Sequence, residues 1–164
     1  MVVYINRHLR TNMMDPTEIH EARRRAAGLL ARATVDELLA FWNALKTKPQ
    51  VEKVRGPETG LVMVRGKIGG GGSPFNLGEA TVTRATVKLG SGTIGHAHAL
   101  GTSRKQAWYA AIADALWQEE ATRPLIESRV LSVVAQRLAE KKSQRIRETA
   151  ATRVDFFTMV RGDD

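Results

Sequence analysis

The sequence predicts an α+β domain, helices around an antiparallel sheet, and three features carry that expectation. Residues 16–45 and 104–147 repeat apolar side chains every three or four positions, which is the helical period. Residues 50–100 alternate at period two and are rich in Val and Thr. Glycine clusters break this middle stretch at intervals too short for crossover helices, so its strands must run antiparallel. The expected architecture is two N-terminal helices, a four-stranded antiparallel sheet, two C-terminal helices and an extended C-terminal tail.

The first helix is signalled by "DPTEIHEARRRAAGLLARA", with Asp15 as N-cap, Pro16 at the first helical position and Glu18 completing a capping box. Ile19, Ala22, Ala26, Leu29 and Ala33 then fall on one stripe, over about residues 16–32. A second box, Thr34 with Glu37, opens a helix whose inward residues are Val35, Leu38, Leu39, Trp42 and Leu45, up to the Lys48-Pro49 break. "QVEKVRG", "TGLVMVRGKI", "FNLGEATVTRATVKLG" and "TIGHAHALG" read as four strands, with "GGGGSP" and "GSG" as hairpin connections. Ser103 with Gln106 makes a third box, and the helix it opens carries Trp108, Ile112, Ala115 and Leu116 on one face. Pro124 starts the last helix, with Ile126, Val130, Val133, Val134 and Leu138 inward before the charged "EKKSQRIRE".

At 164 residues the chain suits one domain that buries roughly two thirds of its unfolded surface. Residues 1–15 read as a flexible N-terminal extension and 16–164 as that domain. The absence of cysteine removes disulfides and thiolate-held zinc or iron–sulfur centres from this chain. The start lacks the long apolar run of a signal peptide, and no later stretch approaches the ~20 apolar residues that span a bilayer, so a cytoplasmic location is expected. A formal charge of +8 favours an anionic partner without naming its class.

Few residues point to chemistry. In "RGKIGGGGSPF" the lysine precedes the glycines, whereas a phosphate-cradling loop places Gly-Lys-Ser/Thr after them and before a helix; a hairpin tip is the better reading. His96 and His98, one residue apart on a strand, share a sheet face and could begin a metal site. No third ligand is evident beside them, because His8 and His20 lie in the N-terminal segment and first helix. There is no Gly-x-Ser-x-Gly and no evident Ser, His and Asp pairing, and Glu58 and Glu79 at strand ends read as ordinary carboxylates. Arg65, Lys67 and Arg84 are candidate anion or substrate ligands, since a strand can hold a guanidinium for bidentate bonds; a solvated sheet face explains them as well. "RRR" at 23–25 and "KKSQRIR" at 141–147 read as exposed helix faces, and the scarcity of aromatic residues weakens a nucleic-acid reading.

Several segments together resemble a known family, the G subunit of the phosphonate carbon–phosphorus lyase system. They are "ETGLVMVRGKIGGGG" at 58–72, "FNLGEATVTRATVKL" at 75–89, "GTIGH" at 92–96, "AWYAAIADAL" at 107–116 and "RVDFFTMVRGD" at 153–163. They follow the family's order and spacing from about Leu29 onward. One departure is Gly101-Thr102-Ser103 followed by Arg104, where the family often has Gly-Arg-Asp. The resemblance implies an accessory subunit of a core complex with H, I and J subunits, the L subunit joining in activity. In that complex the I subunit is the nucleosidase-like centre, and ATP and an alkylphosphonate yield adenine and a ribose 1-phosphonate 5-triphosphate. The resemblance puts the iron–sulfur cluster and S-adenosylmethionine on the J subunit, where the carbon–phosphorus bond is cut later, and gives this chain no cofactor of its own. A small basic nucleic-acid-binding module is the alternative, and a metal hydrolase built on His96 and His98 the third.

The ending "RVDFFTMVRGDD" is unusually apolar for a terminus. Val154, Phe156, Phe157, Met159 and Val160 cannot share one helix face, so the tail is expected to be an extended interface element that docks on a neighbouring subunit.

Overall fold

The computed structural model describes residues 16–67 and 72–151. The N-cap Asp15, the greater part of the glycine run and the expected docking tail at 153–164 lie outside them. In chain order the elements are α1 (Pro16–Leu30), α2 (Val35–Ala44), β1 (Val51–Gly66), β2 (Phe75–Leu89), β3 (Ile94–Leu100), α3 (Arg104–Gln118), α4 (Arg123–Ile126), a π-helical turn (Glu127–Leu131) and α5 (Ser132–Ala151). Among the described residues no helix is long and apolar enough to cross a membrane.

The class is α+β, but the sheet has three strands in the order β1-β2-β3, all antiparallel, in place of the four expected. The sequence reads Gly56-Pro57 as the break between two strands. In the structure the chain runs through it as one 16-residue strand. Gly56 takes φ 41°, a backbone conformation that glycine adopts without a Cβ penalty. The register against β2 slips between Lys53 and Arg55 and again between Arg55 and Glu58. The Gly-Pro pair is therefore a β-bulge inside a paired strand, where an extra residue leaves the ladder without ending it.

The helices cover one face of the sheet. Along β2 and β3 burial alternates: Thr83, Ala85, Val87 and Leu89 with Gly95, Ala97 and Ala99 face inward, while Arg84, Lys88, His96 and His98 face out. Central to the core is α3, in which Ala110 through Trp117 are all buried. The single stripe expected for α3 is absent because a helix enclosed on every side has no solvent face. Its alanines permit a close approach to β3, and Gly95 completes the fit: a Cβ there would lie 2.1 Å from the Ala111 carbonyl oxygen and 2.7 Å from Ala115 Cβ.

The caps fix how the helices meet. Thr34 and Glu37 form the reciprocal box, at 3.2 and 2.7 Å, and Glu37 also receives Arg137 Nε of α5 at 2.7 Å. Ser103 caps α3 by accepting from the Gln106 N–H at 3.2 Å. Gln106 does not reach back; its amide donates to the Ala31 and Ala33 carbonyls at 3.3 and 2.8 Å, tying α3 to the α1–α2 junction. The last helical stretch is also less regular than the sequence suggests. Its π turn is wide enough to bury both Val130 and Leu131, which leaves Val133, expected inward, 45% exposed.

Candidate functional site

The outward sheet face carries the densest group of charged and imidazole side chains. Glu58 of β1 pairs in register with Arg84 of β2, and Arg84 with His98 of β3. The Nε atoms of Arg84 and Arg55 each lie 2.8 Å from Glu58 Oε1, so two guanidinium groups share one carboxylate and the cluster keeps a positive charge. All three side chains are about half exposed, which limits what these ion pairs contribute to stability. A cleft of about 310 Å³ opens beside them, lined by Glu58, Gly60, Val62, Val82, Arg84 and His98 among others. The charged side chains lining it are Glu58 and Arg84, with Arg55 adding its charge through Glu58, and Leu61, Val62 and Val82 make the wall apolar. That combination suits an anionic group attached to a carbon skeleton, or a protein side chain seated beside an acidic one.

A second recess, of about 210 Å³, lies between α1 and the outer edge of β3. Asp114 of α3 stands in it, 2% exposed. Its carboxylate accepts from Arg23 Nη2 at 2.9 Å and Nε at 3.3 Å, from the His96 backbone N–H at 2.9 Å, and from Gln118 Nε2 at 3.3 Å. Gln118 Nε2 also donates to the Ile94 carbonyl at 2.8 Å. Two side chains of α3 thus cap the first half of the β3 edge, where backbone groups would otherwise lack partners. Sequence reasoning missed this joint. Its signal was present as the lone carboxylate in "AWYAAIADALW", a helix with no other charged residue across that span.

The three basic residues expected to bind an anion are not brought together. Arg65 pairs with Asn76 seven residues along β1 from Glu58, roughly 23 Å at the usual rise per strand residue. Lys67 follows the end of β1, so both lie far from Arg84. His96 and His98 do share the exposed face, with His96 Nδ1 3.2 Å from Thr86 Oγ1. Among the described residues, no group of three or more His, Asp or Glu side chains is arranged to hold a metal ion. The interface residues Val154, Phe156, Phe157, Met159 and Val160 lie outside the described residues. Elsewhere, the Arg137 guanidinium holds the Glu37 carboxyl below its usual range; burial opposes this, and the Thr34 N–H assists.

A relative from Rhizobium meliloti (strain 1021), "Alpha-D-ribose 1-methylphosphonate 5-triphosphate synthase subunit PhnG", is 60% identical over 142 residues, which cover 87% of this chain and 90% of the relative. The family model described as "Phosphonate metabolism protein PhnG" matches residues 21–162, a span that includes the sheet, the cleft, the Asp114 joint and the apolar tail. The chain belongs to the PhnG family of phosphonate metabolism proteins.

Proposed function

We propose that this chain is a subunit of an α-D-ribose 1-methylphosphonate 5-triphosphate synthase and that it supports the reaction without performing it. The observation that carries the first part is the 60% identity to a protein of that name, extending over nine tenths of the relative. The second part rests on the family resemblance. In that division of labour the H, I and J subunits share the core complex and the L subunit joins in activity. The I subunit exchanges adenine of ATP for an alkylphosphonate, and the iron–sulfur cluster and S-adenosylmethionine belong to the later carbon–phosphorus cleavage on the J subunit. Arg84 would meet an anionic group through the sheet-face cleft, and Arg65 and Lys67 would do so separately at the end of β1.

Attachment to the complex falls to the tail at 153–164, and the geometry of α5 supports this. Residues 139–150 are exposed throughout, about 18 Å of helix beyond the last contact with the body. That stretch is held by pairs four residues apart, Gln144 to Glu148 at 2.9 Å and Arg147 to Ser143 at 3.1 Å, in place of burial. A stalk of this kind reaches away from the chain's own core, as an attachment point for a docking segment would. The domain reading, one unit over 16–164 with a docking tail and residues 1–15 as an extension, is part of the same proposal.

Two measurements test it. The purified chain incubated with ATP, magnesium and methylphosphonate should release no adenine until the other subunits are added; release at the rate of the assembled synthase overturns the accessory role. Deleting residues 153–164 should leave a folded chain that fails to co-purify with those subunits. Normal assembly of the truncated chain refutes docking by the tail, and unfolding of it indicates a tail packed on its own domain.

A further inference from the structure

The outer halves of β1 and β2 stand clear of the helices and of β3. Pairing between β2 and β3 ends at Val82 and Leu100, yet β1 and β2 continue together from Gly60 opposite Val82 to Gly66 opposite Phe75. That is about 20 Å of two-stranded ribbon. Residues 60–65 and 75–79 are all exposed, but the side chains they expose are largely apolar: Leu61 is 64% accessible, Leu77 62%, Met63 54% and Val62 46%. Strand alternation sends Leu61 and Met63 to one face, Val62 and Val64 to the other. A ribbon meant to lie against its own body would be apolar on one face only. This one is apolar on both, which calls for a partner that encloses it.

The scale fits. The exposed apolar side chains amount to on the order of 500 Å², comparable to the largest patch on an ordinary monomer. A standard interface buries about 800 Å² on each side. A lone two-stranded ribbon is also only marginally stable in water, so enclosure would stabilise it. Charge indicates what encloses it. Arg65 and Lys67 sit at the outer end, and Glu79 is the only acidic residue within 60–67 and 75–81. At the inner end Arg55 and Arg84 outnumber Glu58. Both ends are therefore basic, and pairing with a second copy in either direction would oppose like charges.

We propose that the β1–β2 ribbon inserts into an apolar cleft with an acidic rim on a different subunit of the same assembly. The inference rests on the subunit reading above and adds the docking surface and the chemistry of its receptor. Gly60, with open space where a Cβ would project, leaves a notch at the inner end of the ribbon that continues the Val62 and Val64 face and can seat one large side chain of the partner.

The test uses the full chain co-expressed with the remaining synthase subunits. The double variant Leu61→Glu with Leu77→Glu should reduce recovery of those subunits at least tenfold. The variant alone should keep its unfolding midpoint within about 2 °C, because both sites are exposed. Amide exchange of residues 60–66 and 75–81 in the unmodified chain should slow at least tenfold on assembly, a readout that needs no variant. Undiminished recovery, or exchange unchanged by assembly, overturns the inference. So does a concentration-dependent dimer of the isolated chain that the double variant abolishes, since the occupant would then be a second copy. If the unmodified chain recovers no synthase subunit, the subunit reading fails and the inference falls with it.

Discussion

Replacing Asp114 with Ala tests whether one carboxylate holds three elements together. Among the described residues it is the only charged side chain buried in the core, and it joins α3 to α1 through Arg23 and to the β3 edge through the His96 N–H. Truncation removes the acceptor of a backbone donor, which costs about 1–3 kcal/mol if nothing replaces it. The adjoining recess admits water, so the lower half of that range applies to the His96 N–H. Arg23 is 37% exposed and can rehydrate, so its lost pairing adds no more than about 1 kcal/mol. The total expected is about 2 kcal/mol, or a fall of roughly 4–8 °C in unfolding midpoint for a domain of this size. Asp114→Asn should cost less, about 1 kcal/mol, because its amide oxygen can still accept from His96 while the charge facing Arg23 is lost. Thermal and urea unfolding of the parent and both variants measure this. An Asn variant as damaged as the Ala variant would show that the Arg23 charge pairing, and not the sheet-edge hydrogen bond, carries the joint; an Ala variant within 0.5 kcal/mol of the parent, the usual spread for surface changes, would show that there is no joint.

Two further predictions concern charge. The folded-state pKa of Glu37 is depressed below its ordinary 4.5, so its contribution to stability is complete above that value and is lost as pH falls through the lower folded value. Glu37→Gln should therefore be about 1–2 kcal/mol less stable than the parent at pH 7, with the gap closing below pH 4.5; a gap independent of pH would disprove the assignment. Arg84→Ala should lower turnover per assembled synthase while leaving the unfolding midpoint of the chain unchanged, because its ion pair is half exposed. Unaltered turnover would mean that Arg84 meets only water and Glu58.

How far the sequence discloses the molecule depends on whether a signal is local. Thr34 and Glu37 are three residues apart and satisfy each other, so their box is legible without any tertiary knowledge. Gly56-Pro57 carries the same local signal as a turn, and only the long partner strand β2 converts it into a bulge. Periodicity locates helices but loses orientation once a helix is enclosed: Phe41 and Trp117 are buried, though neither was on an expected inward stripe. The candidate site depended on register in the same way. Arg65 and Arg84 lie on sequence-adjacent strands and look like neighbours, yet antiparallel pairing sends them toward opposite ends of the ribbon. Asp114 meets Arg23 across 91 residues, a separation that no pattern along the chain encodes. The apolar tail, by contrast, was conspicuous from composition alone because apolar clusters are unusual at termini.

The distribution of satisfied and unsatisfied groups divides the described chain into two kinds of surface. Within the body, no buried side-chain nitrogen or oxygen among the described residues lacks a hydrogen-bond partner. Thr83, fully buried, is met by Thr59 Oγ1 at 2.9 Å and donates to the Gly101 carbonyl at 2.7 Å. Such a body has no buried polar side chain among the described residues left for a partner to satisfy. The ribbon is the reverse: its two strands pair only with each other, and its apolar side chains face water on both sides. At about 25 cal/mol per Å², enclosing even half of roughly 500 Å² would supply about 6 kcal/mol before the costs of association. Those costs are of similar size, so the ribbon alone would bind weakly, and a second attachment would raise the effective concentration for the first. The α5 stalk stands exposed over 139–150, and under the docking proposed for the apolar segment that follows it in the sequence it would provide that second attachment.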